Sequence, residues 1–137
     1  MANLLIVDDE ESVRDSLYNW FIEDGYDVES AANAKEALSK IETRNFDIIL
    51  ADIKMPGMDG VELLQKAKEV FPDLSVVLMT AYATVETAVE AMKIGALDYL
   101  LKPFDPDTLI PMIIRIYQDL EASKEVPINV GALVLCG

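Results

Sequence analysis

The chain has 137 residues, 52% of them hydrophobic, and a formal net charge of −14 from 25 acidic and 11 basic side chains. One domain accommodates that length; the charge repels phosphate backbones and argues against direct nucleic-acid binding. The absence of histidine excludes a phosphohistidine carrier, a Ser-His-Asp arrangement and imidazole ligation of zinc, while a single cysteine, Cys136, excludes an intrachain disulfide and suits a reducing cytoplasm.

In chain order, the first apolar run is Asn3–Val7, followed by "VDDEES" with Asp8, Asp9 and Glu10. No basic segment precedes it, so no signal peptide is expected. Val13, Leu17, Trp20 and Phe21 then fall at helical spacing. A short, partly polar run, Tyr26–Val28, precedes a second helical stripe of Ala34, Ala37, Leu38 and Ile41. The third run, Phe46–Ala51, stops at Asp52 in "ILADIKMPGMDG", and a helix is predicted from about Asp59 to Val70, before Pro72. The fourth run, Leu74–Met79, reaches Thr80 in "LMTAYA", and the stripe Val85, Ala88, Val89, Met92 follows. The fifth run, Ala96–Leu101, ends with Lys102 in "YLLKPF". The last helix is predicted to begin near Asp105-Pro106, a cap followed by a first-turn proline. Pro111 removes a backbone donor from its interior and predicts a kink or a late start. No run approaches the roughly 18 residues that cross a bilayer, so no membrane association is expected.

Alternating strands and helices, with a mean hydropathy of +0.23, predict a parallel sheet covered on both faces. Ligands of such sheets bind outside the carboxyl ends of the strands. Each polar residue there has an ordinary reading on its own: Asp8, Asp9 and Glu10 as helix-capping acids, Asp52 as a turn cap, Thr80 as a β-former, Lys102 as a solvated charge. Together they are not ordinary. Two unit charges about 4 Å apart repel by roughly 4 kcal/mol at an effective dielectric near 20. Three converging carboxylates are therefore costly unless one is protonated or a cation intervenes; Lys102 supplies one positive charge, a divalent ion would supply the rest, and all-oxygen ligands suit Mg²⁺. A phosphoryl group could then be received on a carboxylate by in-line attack, with Thr80 and Lys102 on its oxygens. Asp52 is the candidate nucleophile.

The stretches "LLIVDDEES", "DIILADIKMPGMDG", "VVLMTAYA" and "GALDYLLKPF" closely resemble the receiver domain of bacterial two-component response regulators, over about residues 3 to 121. The resemblance implies a flavodoxin-like, doubly wound five-stranded parallel sheet of order 2-1-3-4-5 with five helices, in a receiver domain at 1–122. It implies that Asp52 accepts phosphate from a phosphohistidine on a sensor histidine kinase. Asp8 and Asp9 would hold Mg²⁺, Asp9 directly and Asp8 largely through water, with Asp52 and the backbone carbonyl of Lys54 as further ligands. Thr80 would be the switch hydroxyl, Lys102 the phosphate-binding cation and Tyr99 the aromatic that swings inward on activation. Lys54 and Tyr82, two residues beyond Asp52 and Thr80, would tune the lifetime of the phosphate. The Lys102–Pro103 bond would be cis. "TAYATVETAVEAMKIGALDYLLKPF" looks most like the nitrogen-regulation type, which precedes AAA+ transcription activators.

Phosphorylation would switch the surface of the fourth helix, fifth strand and fifth helix, and so control an output domain or partner. Glu86, Glu90, Lys93, Asp98, Arg115 and Asp119 there could pair across a homodimer, or form a solvated rim. The apolar tail "VPINVGALVLCG", residues 126 to 137, departs from the pattern. It reads as a strand begun and cut short within a linker or truncated output domain at 123–137, or as an extra strand on this sheet or a neighbour. Two rival classes are set beside this one. A receiver-like interaction module independent of phosphate would use the same fold. A flavin or dinucleotide enzyme needs a glycine-rich loop after the first strand, which "DDEES" is not.

Overall fold

The computed structural model describes the backbone of residues 2–82, 84–103 and 105–136, with side chains to residue 122. The chain divides into two units, 1–104 and 105–137. The first holds β1 (Asn3–Val7), α1 (Glu11–Glu23), β2 (Asp27–Ala31), α2 (Ala34–Thr43), β3 (Ile48–Asp52), α3 (Gly60–Val70), β4 (Ser75–Thr80), α4 (Val85–Ile94) and β5 (Asp98–Leu101). The second holds α5, Pro106–Cys136.

All strand pairs are parallel, in the order β2-β1-β3-β4-β5 expected from the resemblance. β3 and β4 are buried at every position, which is why their sequences are unbroken apolar runs and not alternating ones. On one face Leu5, Val7, Ile49, Ala51, Val76 and Leu78 join Ala37 and Ile41 of α2 and Leu63, Leu64 and Ala67 of α3 in one core. The alternate strand residues, Leu4, Ile6, Leu50 and Met79, are also fully buried. α1 contacts β1 and β2 and buries Leu17 and Phe21, neither of which belongs to that core.

The helix starts are specified locally. Asn33 Oδ1 accepts the Glu36 N–H at 2.8 Å, and Asp59 Oδ1 accepts the Glu62 N–H at 2.9 Å. Asp105 Oδ1 accepts the Thr108 N–H at 2.9 Å, where the sequence placed the last cap. The Lys102–Pro103 bond is cis. Among the described residues no helix is long and apolar enough to cross a membrane.

Four expectations are corrected. β2 runs from Asp27 to Ala31, beyond the predicted Tyr26–Val28; as an edge strand it carries Glu29, which pairs with Lys40 and Arg44, so its sequence lacks an apolar signature. The stripe of α4 is turned outward: Val85, Val89 and Met92 are 80%, 46% and 49% exposed, and Ala91 is its buried residue. α5 starts at Pro106 and continues through Pro111, without the late start. The backbone of residues 126–136 is helical, where a strand was expected. A helix satisfies its hydrogen bonds within the segment, whereas a strand needs a neighbour.

Gly60 ties the fold to the end of β3. Its N–H donates to the Ile53 carbonyl at 2.9 Å. A Cβ there would sit 2.4 Å from the Asp52 carbonyl oxygen and 2.9 Å from Ile53 Cα, both backbone atoms. Gly57 has φ of +80° but nothing within 4 Å of a Cβ. Urea denaturation should therefore find Gly60→Ala destabilised by about 2–3 kcal/mol through overpacking. Gly57→Ala should lose only about 1 kcal/mol, from its left-handed conformation.

Candidate functional site: an acidic pocket at the carboxyl edge of the sheet

Five residues named from sequence lie at the carboxyl ends of four strands. Asp8 and Asp9 follow β1, Asp52 and Thr80 are the last residues of β3 and β4, and Lys102 follows β5. β1 and β3 are neighbours although β2 separates them in the chain, so the strand order reverses between them. A parallel sheet opens a crevice at such a point.

Asp8 is completely buried, and each of its polar groups is engaged. Its N–H donates to the Ala31 carbonyl at 3.2 Å, and its own carbonyl accepts Arg14 Nη1 at 2.7 Å. Oδ1 accepts the Glu10 N–H at 2.9 Å, and Oδ2 accepts Lys102 Nζ at 2.5 Å. Lys102 Nζ also lies 3.5 Å from Asp52 Oδ2. Asp9 is exposed, and its carboxylate comes together with those of Asp8 and Asp52, the ligand oxygens all lying within 4.8 Å of one another.

Burial, and then the charge of Asp8, push the Asp52 carboxyl up from 3.8 to about 6, against the attraction of Lys102. Burial works against the Lys102 ammonium, but its hydrogen bond to Asp8 and the charges of Asp8, Asp52 and Glu10 outweigh it and raise its pKa. The local excess is negative, and the donors are oxygen. Both properties fit a hard divalent cation.

Thr80 is buried; its Oγ1 accepts the Tyr82 N–H at 3.1 Å and its carbonyl accepts the Lys102 N–H at 2.7 Å. Tyr99 lies in β5, half-buried, with its hydroxyl 2.8 Å from Thr87 Oγ1. The two expected tuning residues touch each other: Lys54 Nζ lies 4.8 Å from the centroid of the exposed Tyr82 ring. A groove of about 420 Å³, lined by Ser12, Val13, Ser16, Trp20, Ala81, Lys102 and Pro103, leads up to Lys102.

The sequence that builds this pocket matches the family model of the response regulator receiver domain over residues 4–114. The chain belongs to the response regulator receiver domain family. This receiver domain is 43% identical over 123 residues to the regulatory protein AtoC of Escherichia coli, which it matches over 90% of its own length and 27% of that protein's. It is 39% identical to the DNA-binding transcriptional regulator NtrC of Klebsiella pneumoniae, over 90% and 27% of the two chains. The CheY-like receiver domain protein from Methanospirillum hungatei superposes with a TM-score of 0.87 at 38% identity, covering 90% of this chain and 98% of that one. The chain thus spans about a quarter of the length of the curated relatives it matches.

Sequence reasoning missed Arg14 and Thr87. The available signal for Arg14 was a cation four residues into a helix, where the macrodipole favours acids. Thr87 gave none beyond its spacing from Thr84.

The raised pKa has a sign that can be measured. Between about pH 4 and 6 the folded state holds a proton on Asp52 that the unfolded chain releases. The associated stability is present below about pH 4 and lost as pH rises through about 6. Above that, the buried charge costs the metal-free protein roughly 3 kcal/mol. In EDTA at pH 7.5, Asp52→Asn should be more stable than the parent by about 1–3 kcal/mol in urea denaturation, the gap closing toward pH 4.

Proposed function

We propose that this receiver accepts a phosphoryl group from the phosphohistidine of a sensor kinase onto Asp52, in the cytoplasm. The observation that carries the reading is the shared contact of Lys102 with Asp8 and Asp52 beside an exposed, available Asp9. Asp8 and Asp9 would hold Mg²⁺ with Asp52 and the Lys54 carbonyl. Since both Asp8 oxygens already accept protein hydrogen bonds, Asp8 would act largely through water and Asp9 directly. Bound there, the ion would supply charge neutralisation for the phosphoryl oxygens.

The chain's own residues do the rest. Asp52 presents a carboxylate oxygen to the incoming phosphorus; the bond from phosphorus to the donor's imidazole nitrogen breaks, and its electrons leave with the imidazole. The Lys102 ammonium, relieved of part of its attraction to Asp52, contacts a phosphoryl oxygen. Thr80 exchanges its bond from the Tyr82 N–H for donation to another. The groove leading to Lys102 offers the donor an approach. Tyr82, with Lys54 across its ring, screens the acyl phosphate from water and lengthens its life. The similarity to NtrC and AtoC supports a transcription-activating protein of the nitrogen-regulation type, with residues 123–137 leading toward its output domain.

Intact-mass measurement after incubation with acetyl phosphate and Mg²⁺ tests this. The parent should gain one phosphoryl group and Asp52→Asn none; Lys102→Ala should react about a hundredfold or more slowly. Tyr82→Ala should take up phosphate but lose it several-fold faster. An unchanged mass in the parent would support the phosphate-independent interaction module instead.

Activated self-association is a further part of the proposal. Val85, Val89 and Met92 of α4 and Leu101 of β5 are exposed, and Glu86, Glu90 and Lys93 flank them with mixed charge. Sedimentation should show a monomer without, and a dimer with, Mg²⁺ and beryllofluoride. A monomer in both conditions would count against the dimer.

A further inference from the structure

Few groups anchor α4. Ala91 is its buried residue, and its polar attachments concentrate in the first turn. Thr84 and Thr87 form a reciprocal capping box: Thr84 Oγ1 accepts the Thr87 N–H at 3.1 Å, and Thr87 Oγ1 accepts the Thr84 N–H at 3.2 Å. Thr87 Oγ1 also lies 3.1 Å from the Thr84 carbonyl and 2.8 Å from the Tyr99 hydroxyl.

A hydroxyl has one proton and two lone pairs. Thr87 Oγ1 lies 2.9 Å from Thr84 Oγ1 as well, so its one proton has three acceptors in reach, and either oxygen of the Thr87–Tyr99 pair can donate. In either direction one hydrogen bond joins the Tyr99 hydroxyl to Thr87. Tyr99 is thus attached to the cap of α4, on the helix whose apolar stripe is exposed.

We propose that Thr87 is a positioning residue of the switch: held by the α4 cap, its hydroxyl latches Tyr99 to the first turn of α4 and defines the resting state. This rests on the phosphoacceptor reading of Asp52. Inward rotation of Tyr99 must break the Tyr99–Thr87 bond, whereas the bonds between Thr84 and Thr87 can persist. The latch therefore opposes switching without being needed for the helix start. One net hydrogen bond corresponds to a shift of about threefold to tenfold in the two populations.

The test is amide hydrogen exchange in the unphosphorylated, metal-free chain. The probe is the Ala88 N–H, which donates to the Thr84 carbonyl at 3.1 Å. Tyr99→Phe removes the hydroxyl and leaves both threonines intact; exchange should accelerate about threefold to tenfold. Thr87→Val also loses the capping box and should exchange faster still. The double variant should match Thr87→Val alone, because both substitutions delete the same bond. With Mg²⁺ and beryllofluoride, Tyr99→Phe and the parent should converge. Equal exchange in Tyr99→Phe and the parent would overturn the latch, as would the same acceleration by Tyr99→Phe in the Thr87→Val background. Failure of beryllofluoride to bind the parent would sink the phosphoacceptor reading; the metal-free cycle would still decide the latch.

Discussion

The ammonium of Lys102 between two buried carboxylates is the constraint on which this molecule's chemistry depends. It lies 2.5 Å from Asp8 and 3.5 Å from Asp52, joining residues 94 positions apart in the chain. A buried ion pair is favourable only when its remaining polar atoms are also engaged, and for Asp8 they are. The balance is nevertheless incomplete, since one ammonium faces three carboxylates. Asp52 bears the imbalance as a raised pKa. A site in that condition is set up for more positive charge, and a carboxylate so placed is the group from which a phosphoryl acceptor can be made.

The sheet creates this crowding by its topology. Parallel strands point their carboxyl ends the same way, and burial on both faces fixes where each strand lies. The register then aligns Asp52 with Met79 and Thr80 with Leu101, one residue short of Lys102. Gly60 allows α3 to begin against the backbone of Asp52 and Ile53, so the turn after Asp52 is held by close approach of main chain. Arg14 performs a similar task after β1 by binding the Asp8 carbonyl. The acidic pocket is therefore braced through backbone as well as side chains.

α4 is built on a different principle. Its start is specified by a capping box and its end by Gly95 in the left-handed region, φ of 114°. Between them the helix commits little apolar surface to the sheet. Local bonds thus define the helix, while its place depends on few tertiary contacts. An element of this kind can take a second position at small cost, which is what a two-state switch requires. Tyr99 joins it to the strand that leads to Lys102.

The sequence by itself determined the five-fold alternation and the chemistry at the strand ends. Apolar runs that stop at Asp52, Thr80 and Lys102 reveal where each strand changes from apolar to polar side chains, and Asp59 and Asp105 mark helix starts through hydrogen bonds only a few residues long. The edge strand β2 was less legible, because its ladder is on one side and its surface is charged. Only the tertiary structure decided that Ala91 rather than Val85, Val89 and Met92 of α4 goes inward. Periodicity identifies an apolar stripe but not the surface that receives it, since the hydrophobic effect has no direction of its own. The same holds for Lys102, whose nearer partner is Asp8 rather than Asp52, and for Tyr99, whose partner is Thr87. Those pairings depend on distances between strands and helices far apart in the chain, and folding alone sets them.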